Sequence, residues 1–127
     1  MSFPLSGENL TCIRGDRLVF AGLDFAVAHG DALLLTGRNG SGKTSLLRLM
    51  AGLAAPSDGV IRHNGADYRD DPASHRADIH YVAHYDAAKP ALTVRENLEM
   101  AASMYMADAD GDRAARVNLV LKQMGLE

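Results

Sequence analysis

Near the start of the chain, hydrophobic and polar positions alternate with period two. In LDFAVAHG, Leu23, Phe25 and Val27 alternate with Asp24, Ala26 and Ala28, the spacing of a strand with one buried face. Residues 1–30 therefore read as short strands. The next run, ALLLT at residues 32–36, is continuously apolar and predicts a strand covered on both faces, as in the parallel sheet of an α/β fold. The period then lengthens. Leu46, Leu49, Met50 and Leu53 stand at i, i+3, i+4 and i+7 while Arg48 falls off their stripe, so a helix with one core-facing side is expected, fraying at Gly52.

Further along, Asn64-Gly65 in GVIRHNGADY predicts a hairpin, because both turn positions tolerate positive φ. ADIHYVAH, residues 77–84, reads as another strand. Thr93 and Glu96 have capping-box spacing, so a helix is expected from there to about Met106. After the polar ADADGD, Ala114, Val117, Leu121 and Met124 mark one helical face, with Gly125 as its stop. No internal repeat, low-complexity tract or linker interrupts residues 1–127, which read as one domain.

Composition narrows the function classes. Of 127 residues, 47% are hydrophobic and 23% charged, with 12 Gly and 4 Pro, the balance of a soluble globular protein. Sixteen acidic against thirteen basic side chains give a net charge of -3, and no Lys/Arg cluster offers a stripe for a phosphate backbone; nucleic acid is not expected as a partner. The single cysteine, Cys12, has no mate in the chain, and the opening MSFPLSGENL lacks the charged start and apolar stretch of a signal peptide, which implies a reducing, cytoplasmic setting. No run approaches the roughly 20 apolar residues that span a bilayer, so a membrane role would be exercised from its surface through a partner.

The chemistry concentrates in GRNGSGKT, residues 37–44, which satisfies G-x-x-x-x-G-K-[ST] through Gly37, Gly42, Lys43 and Thr44. A strand entering and a helix leaving such a loop aim backbone N–H groups and the positive helix end at one point, a cradle for phosphate. The candidate nucleotide-binding set is Gly37, Arg38, Asn39, Gly40, Ser41, Gly42, Lys43, Thr44 and Ser45. Lys43 is expected to reach the β and γ phosphates and the Thr44 hydroxyl to complete the shell of a Mg²⁺ ion. The plainer alternative is a glycine-rich turn with a surface lysine. Asp108-Ala-Asp-Gly111 satisfies the D-x-x-G of GTPases, but no N-K-x-D for guanine occurs. The same stretch mimics the start of a calcium loop, yet Arg113 stands at the bend glycine and Leu119 at the closing glutamate; a solvated connection is expected there.

Residues 5–127 resemble the N-terminal half of an ABC-transporter ATPase domain. LTGRNGSGKTSLLRLMAGL, then PSDGVIRHNG, then LTVRENL carry the resemblance in order and spacing. Within that family, VFAGLDFAVAHGDALLLTGRNGSGKTSLLRLMAGL and YVAH are most similar to the ATP-binding subunits of haem exporters of cytochrome c biogenesis. The resemblance implies a P-loop NTPase core of α/β class, with an N-terminal antiparallel β part and the start of a helical subdomain, ending before the family's signature motif. It implies ATP and Mg²⁺ as ligands and ATP hydrolysis coupled to export. It also implies transmembrane subunits as partners, met through residues 93–106, a second ATP-binding subunit in a head-to-tail dimer, and a peripheral place on the cytoplasmic face of the inner membrane.

Two positions depart from the family pattern. Arg14 stands where many members carry an adenine-stacking aromatic, and its planar guanidinium can still stack, while Phe20 is expected in the core. His84 of Tyr81-Val-Ala-His84 stands at the glutamine-loop position, and is the candidate catalytic residue acting on water and Mg²⁺ geometry; read without the family it is a polar residue at a strand end. His80 and His84, four apart on a strand and thus roughly 13 Å from each other, cannot share a zinc ion. His29, His63 and His75 read as surface residues. The family's Mg²⁺-holding Asp, water-orienting Glu, Ser-Gly-Gly signature and later His do not occur in the chain, so these 127 residues alone are expected to be inactive. Two other readings stay open: an ABC-type ATPase without a transport role, and a nucleotide-binding module that never catalyses.

Overall fold

The computed structural model describes residues 3–83, 87–106 and 112–126. They form two compact units, Met1–Tyr81 and Val82–Glu127.

The first unit is built on an antiparallel sheet. Strands β1 (Leu5–Arg14) and β2 (Arg17–Val27) are joined by a tight turn at Gly15 and Asp16; β3 (Asp58–His63) and the short β4 (Ala66–Asp67) follow later. The spatial order is β2-β1-β3-β4. Leu5 opposes Val27 and Arg14 opposes Arg17 across β1 and β2, and Gly7 opposes Ile61 across β1 and β3. The hairpin expected at Asn64-Gly65 joins β3 to β4, with both turn residues at positive φ.

The register between β1 and β3 shifts after Glu8. There Asn9 has φ 49° and gives its N–H to the Asp24 carboxylate at 2.6 Å. Opposite this bulge lies Gly59 at φ +86°, whose missing side chain lets the backbone press against the carbonyl oxygens of Glu8 and Asn9. A bulge of this kind re-aims a strand at the cost of one unpaired residue.

One face of the sheet packs against helix α1 (Lys43–Met50). Leu10, Cys12 and Ile61 from the strands meet Leu46 and Leu49 from the helix, with Tyr68 closing one side; Phe20, Phe25 and Leu35 lie around them. Leu46 and Leu49 keep the predicted stripe, but Leu53 is 52% exposed. The cause is the helix stop. Gly52 turns the chain at φ +73°, with Gly52 N–H on the Leu49 carbonyl and Leu53 N–H on the Arg48 carbonyl, so Leu53 leaves the helical face.

Residues 32–36 correct a second expectation. They carry no strand ladder, and Leu34 is 84% exposed. A continuous apolar run becomes a doubly covered strand only where neighbours pair on both sides, and among the described residues none does; Leu35 alone packs on the core. Residues 79–83 of the predicted ADIHYVAH strand are likewise not part of a strand, and its first two residues, Ala77 and Asp78, instead end helix α2 (Pro72–Asp78).

The surface placement read for His63 and His75 is overturned. The C-terminal turn of α1 leaves carbonyls that need donors, and fully buried His75 on α2 supplies one, its Nε2 lying 2.8 Å from the Met50 carbonyl oxygen. Its ring meets Tyr68 at 4.9 Å and the edge of His63 at 5.1 Å between centroids, while His63 Nε2 lies 3.1 Å from the Asp78 carboxylate. His75 Nδ1 has no hydrogen-bond partner among the described residues. His29 is exposed, as expected.

The second unit contains α3 (Val94–Tyr105) and α4 (Asp112–Gln123). The capping box forms as predicted: Thr93 Oγ1 accepts from the Glu96 N–H at 3.2 Å and the Glu96 carboxylate accepts from the Thr93 N–H at 2.8 Å. These bonds hold the Glu96 carboxyl below its ordinary pKa. Asn97 ties the preceding turn, accepting from the Lys89 N–H at 2.7 Å and donating to the carbonyls of Lys89, Leu92 and Thr93. On α4, Val117 and Leu121 are buried, but Met124 is 67% exposed because the chain reverses at Gly125, where Leu126 N–H reaches the Leu121 carbonyl.

Two predictions follow from this packing. Gly59→Ala forces a Cβ into two backbone carbonyls at positive φ, and is expected to destabilise the first unit by about 2–3 kcal/mol in urea unfolding; an unchanged midpoint would contradict the bulge geometry. Burial holds the His75 pKa below its ordinary value, so the unfolded chain takes up that proton first as pH falls. Stability from this residue is therefore complete above about pH 6.5 and declines below it. His75→Gln, which keeps a donor for the Met50 carbonyl, should lose less stability than the parent between pH 7 and 5.

Candidate functional site

The loop at residues 37–42 follows residues 32–36 and leads into α1. Its three glycines at positive φ, Gly37, Gly40 and Gly42, bend the backbone around a concave side. Gly42 is the helix N-cap at φ 104°. A Cβ there would sit 2.6 Å from Val19 Cγ1 and 3.2 Å from Phe20 Cδ1, so glycine lets β2 press directly against the start of α1. That contact fixes where the helix points.

The first turn of α1 has no acidic residue and no side-chain cap. Its opening N–H groups therefore lack intrahelical partners and end at a cleft of about 480 Å³ lined by Arg14, Arg17, Val19, Asn39, Gly40, Gly42, Lys43, Thr44 and Ser45. Among the described residues no carboxylate lines this cleft. Three cationic side chains converge with a helix N-terminus, an arrangement that attracts a multiply charged anion.

Lys43 folds back over the loop, its ammonium donating to the Gly37 carbonyl and, at 3.3 Å, to the Arg38 carbonyl. The loop's own turn is closed by Ser41 N–H on the same Arg38 carbonyl at 3.1 Å. Gly37, Arg38 and Ser41 thus form the back of the loop, and Asn39, Gly40, Gly42, Lys43, Thr44 and Ser45 its cleft side. Arg14 lies across from them, at the end of β1, with Nη1 3.4 Å from Ser45 Oγ. Phe20 is half-buried against the core. Arg17 also enters the cleft, donating to the Gly40 carbonyl at 3.0 Å. Sequence reasoning passed over it, although two arginines bracketing the Gly15-Asp16 turn signal side chains leaving one hairpin end together.

A magnesium ion fits this chemistry in part. Such a hard cation takes few protein oxygens and keeps waters beside substrate phosphates, and the exposed Thr44 hydroxyl on the cleft is one such oxygen. His84 lies outside the described residues.

The geometry agrees with three comparisons. The family model for the ABC transporter matches residues 20–127. The chain is 48% identical over 122 residues to the cytochrome c biogenesis ATP-binding export protein CcmA of Paramagnetospirillum magneticum, covering 95% of this chain and 55% of that protein. It is 46% identical over 123 residues to the protein of the same name from Bradyrhizobium diazoefficiens, covering 97% and 58%. The chain spans about half the length of the curated relatives it matches. Among solved structures, it superposes on the ATP-binding subunit of an ABC transporter with TM-score 0.82 and 27% identity, over 96% of this chain and 50% of that one. A dimeric ATP-binding cassette bound to ADP and Pi shares the fold with TM-score 0.75 at 24% identity, over 97% and 58%. With the family model matched over most of its length, the chain belongs to the ABC transporter family.

Proposed function

We infer that the chain is the nucleotide-binding part of an ATP-binding export subunit, and that the parent protein hydrolyses ATP to drive export, of haem for cytochrome c biogenesis. One observation carries the nucleotide reading: Arg14, Arg17, Lys43 and the first turn of α1 converge on one cleft that no carboxylate among the described residues lines. Two relatives across most of the chain whose names include cytochrome c biogenesis and export support the narrower assignment.

Within the cleft each residue has a task. The opening amides of α1 and of the loop hold the β phosphate, Lys43 exchanges the Gly37 and Arg38 carbonyls for the β and γ phosphate oxygens, and Arg14 lies flat against the base. Thr44 and Ser45 complete the nucleotide contacts, with Thr44 as the protein oxygen for Mg²⁺, which neutralises charge on the phosphates when bound. His84 orients the attacking water. Both compact units belong to one ATP-binding domain. In the assembled transporter this subunit sits peripherally on the cytoplasmic face of the membrane, pairs head to tail with a second ATP-binding subunit, and meets the transmembrane subunits through residues 93–106. No described helix is long and apolar enough to cross a membrane.

In the full-length protein, Lys43→Ala removes the mobile cation and is expected to raise the Kd for a fluorescent ATP analogue about tenfold or more. Unchanged affinity would sink the assignment of the cleft. His84→Ala should lower kcat at least about tenfold with little change in nucleotide affinity; equal losses in both would remove His84 from the chemistry.

A further inference from the structure

Arg14 and Arg17 are directly opposed across the end of the β1–β2 hairpin. Like charges in that position repel and weaken a strand pair. Both guanidiniums instead find oxygens on the phosphate loop and its helix: Arg14 at Ser45 Oγ, Arg17 at the Gly40 carbonyl. The Arg17 bond has a consequence that its neighbour's lacks, because its acceptor is backbone.

A peptide unit is planar, so fixing a carbonyl oxygen fixes the next N–H, which points the opposite way. The oxygen of the Gly40–Ser41 peptide is held by Arg17 at 3.0 Å, and its N–H, that of Ser41, closes the turn onto the Arg38 carbonyl at 3.1 Å. That same Arg38 oxygen receives the Lys43 ammonium at 3.3 Å. A continuous chain of bonds therefore runs from the hairpin, through one peptide plane, to the resting place of the phosphate-binding lysine. Gly40, at φ +83° with open space around its Cα, gives this plane no steric restraint of its own.

We propose that Arg17 is a positioning residue, which locks the Gly40–Ser41 peptide plane and so holds the loop in the shape that receives the phosphates of a nucleotide. This rests on the nucleotide reading of the cleft given above. It assigns Arg17 to the loop's shape, where Lys43 is assigned to the ligand's charge.

The test compares Arg17→Met, which keeps a long stem without donors, with Arg17→Lys, which keeps a cation with shorter reach. In the full-length protein without nucleotide, amide hydrogen exchange at Ser41 is followed by NMR, and ATP affinity is measured by titration. Arg17→Met is expected to speed Ser41 exchange about tenfold and to weaken ATP binding about tenfold, the size of one net charge-assisted hydrogen bond, with Arg17→Lys between it and the parent in both. Unchanged Ser41 exchange in Arg17→Met overturns the proposal, even if affinity falls, since Arg17 would then supply charge alone. Should Arg17→Met fail to fold, Ser41 exchange in Arg17→Lys decides alone: faster than the parent supports the lock, equal to it overturns it. Lys43→Ala, run beside them, separates the two readings: if it leaves ATP affinity untouched, the nucleotide cleft has failed, while Ser41 exchange still judges the lock.

Discussion

Gly42 against Val19 and Phe20 is the contact on which the site depends. A glycine-rich loop is mostly bare backbone and has little apolar surface with which to hold itself in place. Here its last residue touches the inner face of β2 with nothing between, and the helix that starts there buries Leu46 and Leu49 against the same sheet. The apolar core thus sets the direction of the helix, and the direction of the helix sets where its free amides point. A larger residue at position 42 would separate sheet from helix by the width of a side chain, and the hairpin arginines would no longer face the loop.

The sheet gives the loop both a floor and a set of counter-charges. β1 and β2 end in two arginines whose mutual repulsion is answered by oxygens across the cleft. Lys43 is satisfied by carbonyls of the loop itself. Each cation is therefore held by neutral acceptors that a phosphate, with full negative charge, can outbid. On the proposed nucleotide reading, binding is an exchange of hydrogen bonds.

Much of this was legible in the residues. The loop, the helix after it, the hairpin at Asn64-Gly65 and the box formed by Thr93 and Glu96 follow from local chemistry, each set by residues within a few positions of one another. What was not legible depends on distant neighbours. Residues 32–36 look like a buried strand because every side chain is apolar, but a ladder needs partners that sequence pattern alone does not supply. His75 looks like a surface residue on a polar helix, and only the end of α1, 25 residues earlier, explains why it is sealed. Arg17 escaped notice because its acceptor is a backbone carbonyl, which has no signature in a sequence. Leu53 and Met124 were placed by periodicity one step too far, beside Gly52 and Gly125, where the chain turns out of its helix.

Cys12 is the single cysteine of the chain, 7% exposed in the core between sheet and α1. Thiol reagents attack only what they can reach, so in the closed fold this sulfur is silent and its labelling rate counts excursions in which the sheet parts from the helix. The protein carries its own clock for opening at the floor of the loop. Any ligand that tightens the loop onto the sheet slows that clock, a readout that needs no introduced residue and no turnover.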